Sequence, residues 1–195
     1  MPRNKTVTLW TVQPIAVYRA LQTSEVLFVD PEMSRERTEY NEQYVWMRDQ
    51  MRSRLSDYGS HFPWWAWSRP QPSLRWLSKC EPSAQELVVL ELAKPRSSVL
   101  LSAFSAWEMI LGNGYVAFTD EEYERWESCL QEYGSCQSGW PLPEPWFSAT
   151  VQSWVRIFDI PGLRRGGAWY VGRIQATFEE LRLSEVVSVT PFVTV

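Results

Sequence analysis

The chain has 195 residues, a net charge of −4 and 12 tryptophans. A chain of this length buries roughly 70% of the surface that its unfolded form exposes, which is enough for one domain. The acidic balance supplies no basic field to attract a nucleic-acid backbone or an anionic membrane. Three cysteines without a Cys-x-x-Cys pair, together with a single histidine, exclude a standard zinc-binding set.

No long apolar segment opens the sequence, and no run of 18 apolar residues occurs in it. A secretion signal and a membrane span both require such segments. We therefore expect a cytoplasmic protein with reduced cysteines, no membrane association and no metal.

The first third of the sequence alternates strand and helix patterns. β-branched alternation predicts strands, and apolar residues at steps of three and four predict an amphipathic helix. The predicted elements are a strand over residues 6–12, a helix over 14–23, a strand over 26–29 and a helix within 35–56.

The rest of the sequence predicts a mixture of strands and helices without regular βαβ alternation, so we expect an α+β fold in a single domain over residues 1–195. The predicted elements are a hairpin of strands 87–92 and 99–101 with its turn at 94–97, a helix around Trp107 capped by Ser102 or Ser105, a helix from Thr119, a helix capped by Ser148, a loop over 161–167, a strand over 169–178, a helical or turn segment over 179–185, and a strand over 186–193.

Tryptophans are concentrated in the segment 61–70, which contains Trp64, Trp65 and Trp67. Each buried indole removes about 150–250 Å² from water, so the cluster fits an apolar core as well as a stacking site. The flanking prolines predict a short or edge strand. The guanidinium of Arg69 lies close enough along the chain to stack on an indole face.

The late strand around Gln175 has two different faces. Strand alternation places Arg173, Gln175 and Thr177 on one face, and the apolar residues between them on the other. Because the apolar face is expected to pack on the core, the polar face is expected to point into a cleft or into solvent.

Several sequence blocks resemble a bacterial family described as a domain of unknown function, family 3841. The final block, Ile-Gln-Ala-Thr-Phe-Glu-Glu-Leu, is the most specific of them. The chain departs from the family pattern at Ser68, where an aromatic residue is expected. The blocks cover residues 9–13, 63–67, 74–75, 99–104 with Trp107, 154–158 and 174–181.

The order of predicted elements also resembles the plan of small ADP-ribosyltransferase-like domains. That resemblance implies small mixed or antiparallel sheets around a central cleft, peripheral helices, and NAD⁺ in the cleft. It implies that Thr11 or Gln13, ending the first strand, contacts the nicotinamide side, and that the Trp65–Trp67 segment clamps the ring. The position of the catalytic acid, which stabilises the positive charge developing on the ribose, falls on Gln175.

Gln175 is neutral, so this chain departs from the family pattern at the catalytic position, and Glu179 or Glu180 would have to supply the charge. The resemblance therefore implies Gln175 and Glu179 as catalytic residues. The implied ligand-binding residues, for NAD⁺ or another nucleotide-like molecule, are Thr11, Gln13, Trp65, Trp67, Arg69 and Arg173.

Two other functions stay open. The missing charged catalytic residue favours a non-catalytic module that binds a protein partner, or sequesters a ligand, through its aromatic surface. Stacking of sugars or single-stranded bases on the tryptophans is the third alternative, and the lack of basic charge argues against it.

Overall fold

The computed structural model describes residues 5–30, 39–70, 85–132, 140–167 and 172–194. The resembling block at residues 74–75 lies outside the described residues, as do parts of the predicted helix 35–56 and strand 169–178. The chain forms two compact units, Met1–Leu101 with Gln175–Val195 and Ser102–Ile174.

The described elements of the first unit alternate strands with two helices, and most boundaries agree with the sequence patterns. The chain passes into the second unit within strand β5 and returns within β6. The elements are β1 Thr6–Pro14, α1 Ile15–Ser24, β2 Val26–Phe28, α2 Asn41–Arg54, β3 Trp64–Trp67, β4 Glu86–Pro95, β5 Leu100–Ala103, β6 Ile174–Phe178, β7 Glu180–Arg182 and β8 Val186–Val193.

Six strands form the main sheet in the order β5-β6-β3-β1-β4-β8, and β2 pairs with β7 in a second, small sheet. β1 and β4 are antiparallel neighbours over the full length of β1, from Thr6 opposite Pro95 to Pro14 opposite Leu87. β3 is antiparallel to both β1 and β6. The tryptophan-rich strand is thus short, as predicted, but it lies inside the sheet rather than at an edge.

One face of this sheet carries the apolar core of the first unit. In β6 the alternation is as predicted, with Ala176 and Phe178 turned into the core. α1 contributes Leu21 to this core, and the small sheet contributes Leu181. The fully packed members are Leu9, Leu21, Ala66, Val88, Leu90, Leu92, Val99, Ala176, Phe178 and Leu181.

α2 confirms the predicted amphipathic helix. Its buried residues include Tyr44, Met47 and Met51, which follow one another at the helical spacing of three and four. Arg52 and Arg54 lie in its last turn, where a positive charge is favourable against the helix dipole.

The predicted hairpin of the strands near residues 87–92 and 99–101 is wrong. β4 pairs with β1 and β8, whereas β5 lies at the opposite edge of the sheet beside β6. Between them Arg96–Ser98 forms a single 3₁₀ turn. The pairing failed because alternation predicts a strand without predicting its neighbour, and β4 finds longer partners in β1 and β8.

The second unit is mainly helical. The helix predicted from Thr119 is confirmed, and Thr119 caps it, since the Glu122 backbone N–H donates to the Thr119 hydroxyl at 3.1 Å. The described elements are α3 Phe104–Leu111, α4 Asp120–Glu132, α5 Trp146–Ser153, a 3₁₀ segment Trp154–Phe158 and α6 Ile160–Gly166.

Three local predictions in the second unit are wrong. α3 begins after Ala103 without a side-chain cap, so neither Ser102 nor Ser105 caps it. Ser148 lies within α5 rather than at its start. The predicted loop 161–167 is the short helix α6, because the Asp159 carboxylate accepts from the Gly162 backbone N–H at 2.9 Å and caps it.

β8 ends the main sheet on one side. Val187 and Val193 are 61% and 60% exposed on it. The Thr194 backbone N–H donates to the Gln85 carbonyl, so Thr194 turns its backbone groups toward the neighbouring chain segment. Backbone groups alternate between the two sides along a strand, so Pro191, an odd number of residues before Thr194, turns its nitrogen to the open side. Within the described residues, the helices are too short or too polar to cross a membrane.

Candidate functional site

The seam between β1 and β3 combines a short strand register with polar side chains. The two strands are in register at Trp10 and Trp67. One residue further along β1, the Thr11 hydroxyl donates to the Trp65 carbonyl at 2.8 Å, where a backbone pair would otherwise continue. The Gln13 amide nitrogen Nε2 then donates to the Thr11 Oγ1 at 2.8 Å. The Thr11 side chain therefore bridges β1 and β3, and Gln13 donates to that bridge from the same strand.

The structure brings Trp67 and Gln175 together on the other face of the sheet. Trp67 is directly opposite Gln175, and Trp65 is directly opposite Thr177. Because Trp10 pairs with Trp67, alternation turns Thr11 and Gln13 to the face opposite that of Trp67 and Gln175. The predicted ligand-binding residues therefore divide between the two faces of one sheet.

Gln175 is not on a solvated or open face, since it is only 4% exposed. All of Gln175–Phe178 is buried, so β6 is covered on both sides. Trp65 contacts Tyr44 of α2 edge to face, with ring centroids 5.9 Å apart. α2 therefore covers part of the aromatic face that the sequence predicted as a clamp.

The two predicted ligand-binding arginines lie at exposed positions. Arg69 is exposed just after β3. Arg173 is exposed in the second unit, where its carbonyl accepts from the Phe104 backbone N–H at 2.9 Å.

Glu179, which follows β6, is held by three donors from the segment that precedes β3. Its Oε2 accepts from the Gly59 backbone N–H at 2.7 Å. Its Oε1 accepts from the His61 backbone N–H at 3.0 Å and contacts the His61 Nδ1 at 2.8 Å. Burial acts to raise the pKa of Glu179, but these donors outweigh it and hold the pKa below its usual value.

A small cavity of about 60 Å³ lies beside this carboxylate, with Tyr58, Lys94 and Glu179 in its wall. Lys94 is only 1% exposed, and its Nζ donates to the Glu180 carbonyl at 2.9 Å and to the Glu185 carboxylate at 2.6 Å. Burial, and secondarily the charge of Glu179, raise the pKa of Tyr58 well above its usual value. The cavity has room for a few water molecules rather than a nucleotide.

Sequence reasoning missed the partners of Glu179. The sequence patterns do not link His61 to an acidic residue, and they do not single out Gly59, Tyr58 or Lys94. No spacing signal links residues 59–61 to Glu179, because the contact spans more than a hundred residues. The available signal was that His61 and Glu179 each lie at or beside a block that resembles the same family, residues 63–67 and 174–181.

Among the described residues, no group of three His, Cys, Asp or Glu side chains could hold a metal ion.

These elements define an α+β protein built around an antiparallel sheet with a polar seam between β1 and β3. The family described as domain of unknown function DUF3841 matches residues 8–187, and the chain belongs to that family. No curated protein and no solved structure matches the chain.

Proposed function

We propose that the protein binds a nucleotide-like ligand, with NAD⁺ as the first candidate, in the manner of an ADP-ribosyltransferase-like domain. The observation that carries the proposal is the polar bridge at the seam between β1 and β3, where the Thr11 hydroxyl donates to the Trp65 carbonyl and Gln13 donates to Thr11. Gln13 lies on one face of the sheet at this seam, and Trp67 lies on the other. Gln175 lies opposite Trp67, one strand further from the seam.

The chemistry of these side chains suits the two ends of such a ligand. An amide such as Gln13 pairs with a carboxamide or a base edge, and an indole such as Trp67 stacks on a planar ring for about 1–3 kcal/mol. Gln175 lies deep beside Trp67, where its neutral amide can hold a ribose hydroxyl but supplies no negative charge.

Ligand binding is tested by titrating NAD⁺, ATP and a short single-stranded oligonucleotide while tryptophan fluorescence is recorded. We expect saturable quenching by NAD⁺ in the natural protein. Gln13→Ala should weaken NAD⁺ binding about fivefold to tenfold, the value of one or two hydrogen bonds. Gln22→Ala, on the exposed side of α1, is the matched control and should bind normally. Absence of saturable quenching in the natural protein would refute the proposal.

A non-catalytic ligand-binding or partner-binding module is the second candidate. The specific observation that favours it is that both carboxylate oxygens of Glu179 already accept hydrogen bonds from the protein's own chain. Incubation with labelled NAD⁺ and cell extract distinguishes the two candidates, with Gln175→Ala beside the natural protein. Transfer of label that Gln175→Ala abolishes supports the enzyme, whereas binding without transfer supports the module. The proposed compartment for either function is the cytoplasm.

A further inference from the structure

We infer that Glu179 is a positioning residue rather than a catalytic one. Its carboxylate fixes the segment 59–61 and thereby sets where the tryptophan strand β3 starts against β6. The consequence for ligand affinity rests on the proposed function. The positioning itself concerns this chain's own contacts and is measurable without a ligand.

The contacts of Glu179 tie together the two chain segments at one end of the β3–β6 pair. Trp64, the first residue of β3, is directly opposite Phe178, the last residue of β6. Glu179 follows Phe178, and its side chain reaches the backbone N–H groups of Gly59 and His61 at 2.7 and 3.0 Å. The carboxylate therefore closes the strand pair beyond its last residue pair, as a turn would close a hairpin.

The segment that Glu179 holds does not hold itself in place by regular structure. Ser60, between the two donor residues, has a φ of 81°, in a region that costs a non-glycine residue on the order of 1 kcal/mol or more. Its hydroxyl accepts from the Arg52 Nε at 3.2 Å. The Tyr58 hydroxyl donates to the His61 carbonyl. Such a conformation persists only when neighbouring groups fix it, and the Glu179 carboxylate provides the charge-assisted bonds.

Contacts along the chain link the position of residues 59–61 to the seam between β1 and β3. The His61 ring stacks on Phe28 with centroids 4.0 Å apart. The Trp64 indole Nε1 donates to the Leu27 carbonyl at 3.2 Å. One residue later, the Trp65 carbonyl is the acceptor for Thr11. A shift of residues 59–61 would therefore reach the polar bridge within four or five residues.

The same geometry argues against a direct role for Glu179 in chemistry. A carboxylate that stabilises positive charge on a substrate must face the reacting atom. Both oxygens of Glu179 face Gly59 and His61 instead, and the side chain is only 13% exposed.

The test compares Glu179→Gln with Glu180→Gln, which removes the same charge one residue further on. The Glu180 carboxylate pairs with Arg182 of its own strand, so its loss leaves the contacts of residues 59–61 in place. In Glu179→Gln, amide hydrogen exchange at Gly59 and His61 should accelerate about tenfold or more, the value of one charge-assisted hydrogen bond. The indole N–H resonance of Trp64, assigned with Trp64→Phe, should shift. Glu180→Gln should change neither.

With NAD⁺, Glu179→Gln should raise the dissociation constant about fivefold to tenfold, and any transfer should show a raised KM at an unchanged kcat. Unchanged exchange and an unchanged Trp64 resonance would overturn the inference, as would loss of kcat at unchanged NAD⁺ affinity. If the natural protein does not bind NAD⁺, the proposed function fails, while exchange and the Trp64 resonance still decide the positioning role. Should Glu179→Gln not fold, Glu179→Asp, which keeps the charge on a shorter side chain, gives the same readouts.

Discussion

Glu179 in the first unit and Glu122 in the second are both partly buried carboxylates that accept three hydrogen bonds, but their partners differ. Glu122 accepts from the Phe118 backbone N–H at 2.8 Å, and from the Tyr115 hydroxyl and Arg156 at 2.7 Å each. Glu179 accepts from two backbone N–H groups and one imidazole. One carboxylate faces a permanent cation, and the other faces a neighbouring chain segment.

The comparison separates an ion pair that holds helices together from a carboxylate that shapes a loop. The Arg156 guanidinium lies over the rings of Tyr115 and Phe118, at 5.3 and 4.8 Å from their centroids, and so packs as well as pairs. Burial acts to raise the pKa of Glu122, but the Phe118 N–H, Tyr115 and Arg156 outweigh it and lower the pKa. The partners of Glu122 thus lie within the second unit, whereas those of Glu179 lie in the segment that precedes β3.

The largest expected effect comes from breaking the surroundings of Glu122 through Gly166. A Cβ at this position would stand 1.9 Å from the Phe118 carbonyl oxygen, which is backbone and cannot rotate away. Gly166→Ala should therefore lower the free energy of unfolding by about 3 kcal/mol, measured by urea denaturation. Gly172→Ala, where a Cβ meets nothing within 4 Å, is the control. Equal stability of the two variants would contradict the close approach of α6 to Phe118.

Removing the cation of the Glu122 site should have a smaller effect. Arg156→Met keeps much of the apolar stem but leaves Glu122 without its charged partner, at a cost of about 1.5 kcal/mol for a partly exposed pair. Thermal unfolding measures the loss, with Arg125→Met on the exposed side of α4 as the control. In a double-mutant cycle, Glu122→Gln should remove most of the additional cost. Full additivity would mean that the pair is not coupled.

Acid should remove the contribution of the Glu179 carboxylate to the free energy of unfolding. The folded pKa of Glu179 lies below the unfolded value of about 4.3, so its contacts stabilise the protein above that pH. The contribution is lost as the pH falls through the lowered folded pKa. The stability advantage of the natural protein over Glu179→Gln should therefore shrink from pH 6 to pH 2, measured by denaturant unfolding at each pH. A constant difference across that range would show that the carboxylate charge is not involved.

The smallest expected effect is spectroscopic and concerns Tyr58. Burial and the charge of Glu179 raise its folded pKa above the unfolded value of about 10, so the folded state disfavours the ionised phenol. The related stabilisation is complete below pH 10 and is lost as the pH rises above that value. Absorbance at alkaline pH should show one tyrosine that ionises at higher pH than an unperturbed tyrosine, and Tyr58→Phe should remove that transition. Glu179→Gln should move its ionisation to lower pH, and an unmoved transition would mean that Glu179 does not act on Tyr58.

Much of the fold of the first unit could be predicted because its patterns are local. β1, α1 and α2 each show the apolar periodicity of their element type, and the structure forms these elements and β8 near the predicted bounds. Strand neighbours were less predictable: β4 does not form the predicted hairpin with β5 and instead pairs with β1 and β8. The helix α6 was missed because its sequence, rich in glycine and arginine, shows no apolar period and depends on the Asp159 cap.

The candidate site was predictable only in part. Alternation and family resemblance indicated Gln175 and the tryptophan segment, and the structure pairs Trp67 with Gln175. The sequence did not indicate that Thr11 and Gln13 face the opposite side, because faces depend on strand register. The partners of Glu179 are set by the sheet order, which no pattern within 59–61 contains. The catalytic role of Gln175 and the ligand-binding roles stay predictions.

The backbone of β8 limits what can be added to the main sheet. A peptide that paired with β8 along Val187 and Val193 would meet the pyrrolidine ring of Pro191, which has no backbone N–H to donate to the new strand. A strand added to this edge would lack the hydrogen bond at Pro191. The lost bond weakens fibril-like stacking of this uncharged, valine-rich segment. A single proline at this position thus disfavours self-association through the exposed apolar edge strand. Its replacement by valine would restore a backbone N–H donor at this point of the edge.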